Sequence, residues 1–204
     1  MSSKKFKILI ATANKNKIRE IKKILGERFR IVALKNPPKI NENGRTLLEN
    51  AVKKAKGFFR TSRIMTLADD TGLEVEILGG LPGVHSARFA GKKCSYADNN
   101  AKLLKLLDGI PFKKRKAKFV TVVALILPGG RVKTVSGEIN GYILNGPRGY
   151  NGFGYDPVFY YPRLKKTFAE LTIEEKNKIS HRGKALRKAK NIVENYVNKS
   201  KTEC

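Results

Sequence analysis

A chain of 204 residues, 41% apolar and 29% charged, is long enough to bury a core without staples, which excludes a disordered tail and a small stapled module. Lys and Arg number 43 against 17 Asp and Glu, a formal net charge of +26 that draws polyanions toward the folded protein. Two cysteines, Cys94 and Cys204, exclude a disulfide framework and a thiolate metal site, and no apolar run is long enough for a transmembrane helix, so a reducing, cytoplasmic location without a membrane partner is expected.

In chain order, Phe6 to Ala11 reads as a buried strand, and the apolar run within it is too short for a secretory signal. Thr12-Ala13-Asn14 is a turn with capping character. Lys15 to Leu25 is a helix with Ile18, Ile21, Ile24 and Leu25 on one face, stopped by Gly26. Phe29 to Leu34 reads as a strand and Asn36 through Gly44 as a loop. Thr46 caps a helix through about Phe59, with Glu49 in its first turn, where the helix dipole favours a carboxylate. Ile64 to Ala68 is a strand that ends at Asp69 and Asp70. Gly79 to Gly83 is turn chemistry, with Pro82-Gly83 suited to the centre of a type II turn. Tyr96 to Leu107 is a helix turning Leu103, Leu104 and Leu107 inward.

Ala117 to Leu127 is apolar on both parities, as in a strand covered on both faces, and Pro128-Gly129-Gly130 returns the chain as a strand from Arg131 to Ile143. Asn145 to Asp156 is a glycine-rich loop. Thr172-Ile173-Glu174-Glu175 matches a capping box and starts a short helix. His181 to about Asn198 is the last helix, and Ser200 to Cys204 is expected to fray. The pattern is that of an α/β fold in a single domain, with a mixed sheet flanked by helices.

Four stretches carry candidate chemistry. Thr12, Ala13, Asn14, Lys15, Asn16 and Lys17 stand at a helix N-terminus, whose amides and partial positive charge suit a phosphate tail, although no P-loop pattern is present. Asp69 and Asp70 repel each other in a low dielectric unless a cation lies between them or one holds a proton, and Mg2+ is the expected cation in a phosphate-handling enzyme. Glu42, in a polar loop without a structural task, is the better further metal candidate. Glu74 and Glu76 read as a solvated strand face, and Glu49 as a first-turn residue. In the third stretch, Gly149 to Pro157, the glycines let backbone approach a flat ligand, and Phe153 and Tyr155 either offer a stacking face or turn into the core. In the fourth, Lys176, Ser180, His181 and Arg182 lie together at a helix entry, where adjacent Ser and His point apart and make a nucleophile dyad implausible.

The charge leaves three readings open: a nucleic-acid partner, attraction of nucleoside triphosphates, or a lysine-rich surface without a specific task. The lysines are dispersed, with one dense run at Lys113 to Lys116, which favours the third and leaves nucleic acid not expected.

These stretches, in this order, resemble the inosine triphosphatase family. The residues that carry the resemblance include Thr12 to Lys17, Thr46 to Ala51, Ala68 to Leu73, Gly79 to Phe89, Gly152 to Pro157, and Ile179 to Ala185. The resemblance implies an elongated α/β fold of two lobes around a long mixed sheet, a homodimer with Mg2+, and hydrolysis of aberrant purine nucleoside triphosphates (ITP, dITP, XTP) to the monophosphate and pyrophosphate. It implies Asp70 as metal-linked general base, Glu42 as metal ligand and Thr71 as a substrate contact. Thr12 to Lys17 hold the phosphate tail, with Lys54 a weaker candidate, and Phe153, Gly154, Tyr155, Asp156, Lys176, His181 and Arg182 form the nucleotide pocket. Donors from His181-Arg182 are expected to select a 6-keto purine over a 6-amino one.

Overall fold

The computed structural model describes residues 5–202. Strand β1 (Phe6–Ile10) leads into helix α1 (Lys15–Leu25), then strand β2 (Phe29–Val32), helix α2 (Leu47–Ser62) and strand β3 (Thr66–Val75). The short strand β4 (Pro82–Gly83), helix α3 (Tyr96–Leu106) and the long strands β5 (Lys116–Ile126) and β6 (Val132–Ile143) follow. Strands β7 (Phe159–Tyr161) and β8 (Lys166–Thr167), and helices α4 (Ile173–Ile179) and α5 (His181–Thr202), complete the chain. The strands form a mixed sheet of order β2-β1-β3-β5-β6-β7-β8, with β4 beside β3. Strand β1 pairs in parallel with β2 and β3, while β7 pairs antiparallel with β6 and β8.

The chain divides into two compact units. The first comprises residues up to Asp70, Thr121–Gly137 and the segment from Arg182. One side of its sheet packs Ile8, Ile10, Leu67, Val123 and Leu125 against Ile21 and Leu25 of α1 and Leu186, Ala189 and Val193 of α5. The other packs Leu9, Ala68, Ala124 and Ile126 against Ala51, Ala55 and Phe58 of α2. Alternate residues of each strand therefore serve opposite layers, and a fully buried Ile or Leu contributes about 1.5–3 kcal/mol. The second unit, Thr71–Val120 and Glu138–His181, has its own core of Leu73, Leu103, Leu107, Phe119, Ile139, Phe159 and Phe168.

Helix starts follow the expected caps. Asn14 Oδ1 accepts from the amides of Asn16 and Lys17, Thr46 Oγ1 from Glu49, and Thr172 and Glu175 close a reciprocal box. Four expectations need correction. Strand β3 does not stop at Asp69 and Asp70 but continues to Val75, because each carboxylate has its own cation and can be carried inside a strand. Pro82-Gly83 is not the centre of a turn. It pairs with Leu73 and Glu74, and the reversal is made upstream, where the Gly80 amide donates to the Val75 carbonyl. The short strands β7 and β8 fall where no strand is read from the sequence. Helix α5 continues to Thr202, past Asn198; of the expected frayed tail, residues 203–204 lie outside the described residues.

Candidate functional site

In the first unit, strand alternation decides the fate of the two aspartates. Asp69 follows Leu67 onto the α1/α5 side, and Asp70 follows Ala68 onto the α2 side. They do not share one cation. Asp69 Oδ2 lies 2.9 Å from Lys17 Nζ and 3.2 Å from Arg182 Nε, and Arg182 Nη1 lies 2.6 Å from Glu20 Oε2. Asp69, Arg182 and Glu20 are all buried, the arginine to 2% exposure. Burial alone would raise the Asp69 pKa, but Lys17, Arg182 and Lys54 outweigh it and hold the carboxyl well below its ordinary range.

Asp70 is the less enclosed of the pair, with 9% exposure against 1%. Its Oδ1 accepts from Lys54 Nζ at 2.9 Å, and the same ammonium reaches Glu42 Oε2 at 2.8 Å. Burial raises the Asp70 pKa, and Lys54 counters this only in part. For Lys54, burial would lower the pKa, but Asp70, Asp69 and Glu42 together raise it. Burial lowers the Lys17 pKa against the opposing pull of Asp69.

Two carboxylates thus converge on one cationic centre and present hard oxygen donors. No cluster of three or more His, Cys, Asp or Glu able to hold a metal is found among the described residues. The Glu42–Asp70 pair fits a cation that completes its shell with water and phosphate oxygens, as Mg2+ does.

The first turn of α1 brings Lys17 to Asp69. Asn14 takes up the Asn16 and Lys17 amides, and Thr12 Oγ1 accepts from the Asn14 amide. Ala13 and Lys15 are exposed. The cap therefore occupies two of the amides that the helix N-terminus would otherwise offer to an anion.

In the second unit, partly buried Thr71 continues β3, and the loop before β7 builds a different kind of site. Asp156 Oδ2 accepts from the Phe153 amide at 2.7 Å and pairs with Lys176 Nζ. The ammonium of Lys176 also lies 4.9 Å from the centroid of the Phe153 ring, within cation–π reach. Gly152 has φ +75°, and a Cβ there would meet Asp156 Oδ2 at 2.1 Å, so only glycine lets the carboxylate close the loop. His181 is buried and stacks on Phe119 at 4.4 Å and an interplanar angle of 15°.

Two side chains of the expected nucleotide pocket have firm partners within their own units. Tyr155, which the sequence leaves open between a stacking face and the core, is buried in the second unit's core; its hydroxyl donates to the Ser86 carbonyl, and burial raises its pKa. Arg182, expected among the donors to a base, engages two buried carboxylates of the first unit instead. Glu20 escapes a reading of motifs. Its signal is positional, for Lys17, Glu20, Ile21 and Ile24 form an i, i+3, i+4, i+7 stripe that places a carboxylate on the buried face of α1. Gly154 follows Phe153 with φ +65°, and its carbonyl accepts from Asn100. Glu49 accepts from the Arg45 amide at the helix start, and half-exposed Glu74 pairs with Lys118, as the structural readings of both expect.

The model of the Ham1 family matches residues 8–192. A dITP/XTP pyrophosphatase from Thermoanaerobacter pseudethanolicus is 51% identical over 191 residues, covering 92% of this chain and 96% of the relative. Among solved structures, the Ham1 protein of Staphylococcus aureus superposes with a TM-score of 0.83 at 37% identity, covering 93% of this chain and 99% of that one. A dITP/XTP pyrophosphatase from Mycobacterium abscessus gives 0.71 at 40% identity, covering 89% and 97%.

Proposed function

The chain belongs to the Ham1 family, and from that membership we infer an enzyme that hydrolyses aberrant purine nucleoside triphosphates. ITP, dITP and XTP are cleaved to the monophosphate and pyrophosphate. Water adds at the α-phosphorus, the bond to the β-phosphate oxygen breaks, and pyrophosphate leaves.

The observation that carries the assignment of roles is the contrast between the adjacent aspartates. Asp69 is sealed by Lys17 and Arg182, whereas Asp70 keeps an accessible edge and has Lys54 beside it. In this reading Asp70 takes a proton from the attacking water. Asp69 holds Lys17 in position, and Lys17 and Lys54 neutralise the phosphate oxygens as charge develops. Arg182 acts through Asp69 and Glu20. Thr12 to Asn16 shape the turn that presents Lys17, and Thr71 contributes its hydroxyl to the substrate. Asp70 and Glu42 would hold Mg2+, which when bound supplies further neutralisation of the triphosphate. Phe153 offers a stacking face to the purine. Asp156 fixes Lys176, and Lys176 and His181 supply polar contacts that suit a 6-keto oxygen. A 6-amino group would face donors, a mismatch worth roughly 1–3 kcal/mol per contact. Tyr155 anchors the loop from within.

No helix among the described residues is long and apolar enough to cross a membrane. A cytoplasmic homodimer without a nucleic-acid partner completes the reading, and light scattering in solution tests the assembly. The functional test is steady-state pyrophosphate release from ITP, dITP, XTP, ATP and GTP, with Mg2+ and with chelator. The expected result is metal-dependent release from the first three and little from ATP or GTP. Equal turnover of all five would remove the base selectivity, and release from none, with salt-sensitive binding of nucleic acid instead, would replace the reading.

A further inference from the structure

Helix α3 belongs to none of the residue sets assigned above, yet two of its side chains touch the loop that carries Phe153. The Asn100 amide nitrogen Nδ2 donates to the Gly154 carbonyl at 3.0 Å. The Tyr96 ring lies 5.9 Å from the Phe153 ring, tilted by 45°. Four residues apart, Tyr96 and Asn100 share one face of the helix.

The helix itself is firmly tied. Ser95 and Asp98 close a reciprocal capping box at its start. Asn99, one position before Asn100, takes the Ala90 amide on Oδ1 at 2.8 Å, and Lys102 donates to the Phe89 carbonyl at 2.6 Å. Leu103 and Leu107 are fully buried. The loop lies outside the strands: Gly149, Gly152 and Gly154 all have positive φ, and it is held by scattered hydrogen bonds such as the Phe153 amide to Asp156 and the Asn151 amide to the Ala169 carbonyl. Helix α3 therefore adds a hold on the loop at the Gly154 carbonyl and at the Phe153 ring. Among the described residues the Asn100 Oδ1 is buried with no hydrogen-bond partner, so it is the donor end of the side chain that meets the loop.

We propose that Asn100 and Tyr96 are positioning residues that preorganise the Phe153–Gly154 segment for the purine base. The inference rests on Phe153 as the base platform in the reading above. Preorganisation of this kind lowers the cost of ordering a loop on binding, so its loss appears in KM for the nucleotide rather than in the chemical step.

The test compares wild type with Asn100→Ala, Asn100→Asp, Tyr96→Ala and Tyr96→Phe. Three quantities are measured: kcat and KM for ITP, the inhibition constant of inorganic tripolyphosphate (which has no base), and amide exchange at Phe153 and Asp156 without nucleotide. Losing the Asn100 donor is expected to raise KM for ITP about tenfold with kcat changed less than about twofold, the size of one hydrogen bond. Tripolyphosphate inhibition stays at the wild-type value, loop exchange accelerates, Tyr96→Ala behaves likewise, and Tyr96→Phe retains wild-type values. Unchanged KM, or KM and tripolyphosphate inhibition weakening together, overturns the proposal. Wild-type protein that does not turn over ITP overturns the functional reading instead, and the exchange rates then decide by themselves whether α3 holds the loop.

Discussion

The two units solve the problem of a buried charged site in opposite ways. In the first, six side chains neutralise one another in chains: Glu20 with Arg182, Arg182 and Lys17 with Asp69, and Lys54 with Asp70. In the second, a single carboxylate–ammonium pair, Asp156 with Lys176, is surrounded by aromatic rings and by backbone in conformations open mainly to glycine. The first arrangement fixes where charge sits. The second fixes the path of the backbone. A polyanion is met by the former kind of arrangement and a flat ligand by the latter.

That contrast can be broken most severely in the first unit. Arg182→Met leaves Glu20 and Asp69 buried, with Lys17 as the cation still paired to Asp69. We expect a loss of about 3–5 kcal/mol in chemical denaturation, with partial recovery in the double variant Glu20→Gln/Arg182→Met, which also removes the buried carboxylate that Arg182 pairs with. Equal stability of the single and double variants would show that the Glu20 charge costs nothing once Arg182 is gone.

In the second unit the larger effect should come from backbone rather than charge. Gly152→Ala places a Cβ against the Asp156 carboxylate at a φ that alanine disfavours. A loss of about 1–3 kcal/mol is expected, with KM for ITP raised and tripolyphosphate inhibition unaffected. A wild-type KM would show that the loop does not need its present path.

The smallest effect sharpens the comparison through pH. Glu170 accepts from the Thr167 amide at 2.7 Å and from Arg148 at 3.1 Å, and the backbone hydrogen bond leads the causes that lower its pKa. A carboxyl depressed by folding contributes stability above its unfolded pKa and loses that contribution as pH falls through the folded value. Glu170→Gln should therefore melt about one to two degrees below wild type at neutral pH, with the gap closing as pH falls below the ordinary glutamate range. A gap independent of pH would assign the effect to packing.

How far the molecule could be read from its residues follows the range of the interactions. Helix α1 begins and ends at the expected residues because Asn14 and Gly26 act within a few positions of themselves. The capping box at Thr172 is equally local. The strand carrying Asp69 and Asp70 reads as ending there because its continuation depends on Lys17, Lys54 and Arg182, which are 52, 16 and 113 residues away from their partners. The Asp69–Asp70 pair stands out in the sequence, but the cation that each carboxylate meets does not. Adjacent residues on a strand face opposite ways, and a sequence does not say which layer carries which cation. Tyr155 shows the same limit: an aromatic in a glycine-rich loop suits a ligand or a core equally, until Ser86 is found at its hydroxyl.

The central claim is that the two neighbouring aspartates have different tasks, and Asp70→Asn set against Asp69→Asn tests it most directly. Each variant is assayed for ITP turnover and for thermal stability. Asp70→Asn should lose turnover by at least about a hundredfold while melting no lower than wild type, since it removes a carboxylate whose ionisation burial opposes. Asp69→Asn should melt several degrees lower, because Lys17 and Arg182 lose their shared carboxylate. Near-normal turnover in Asp70→Asn, or the same pattern of loss in both variants, would contradict the account.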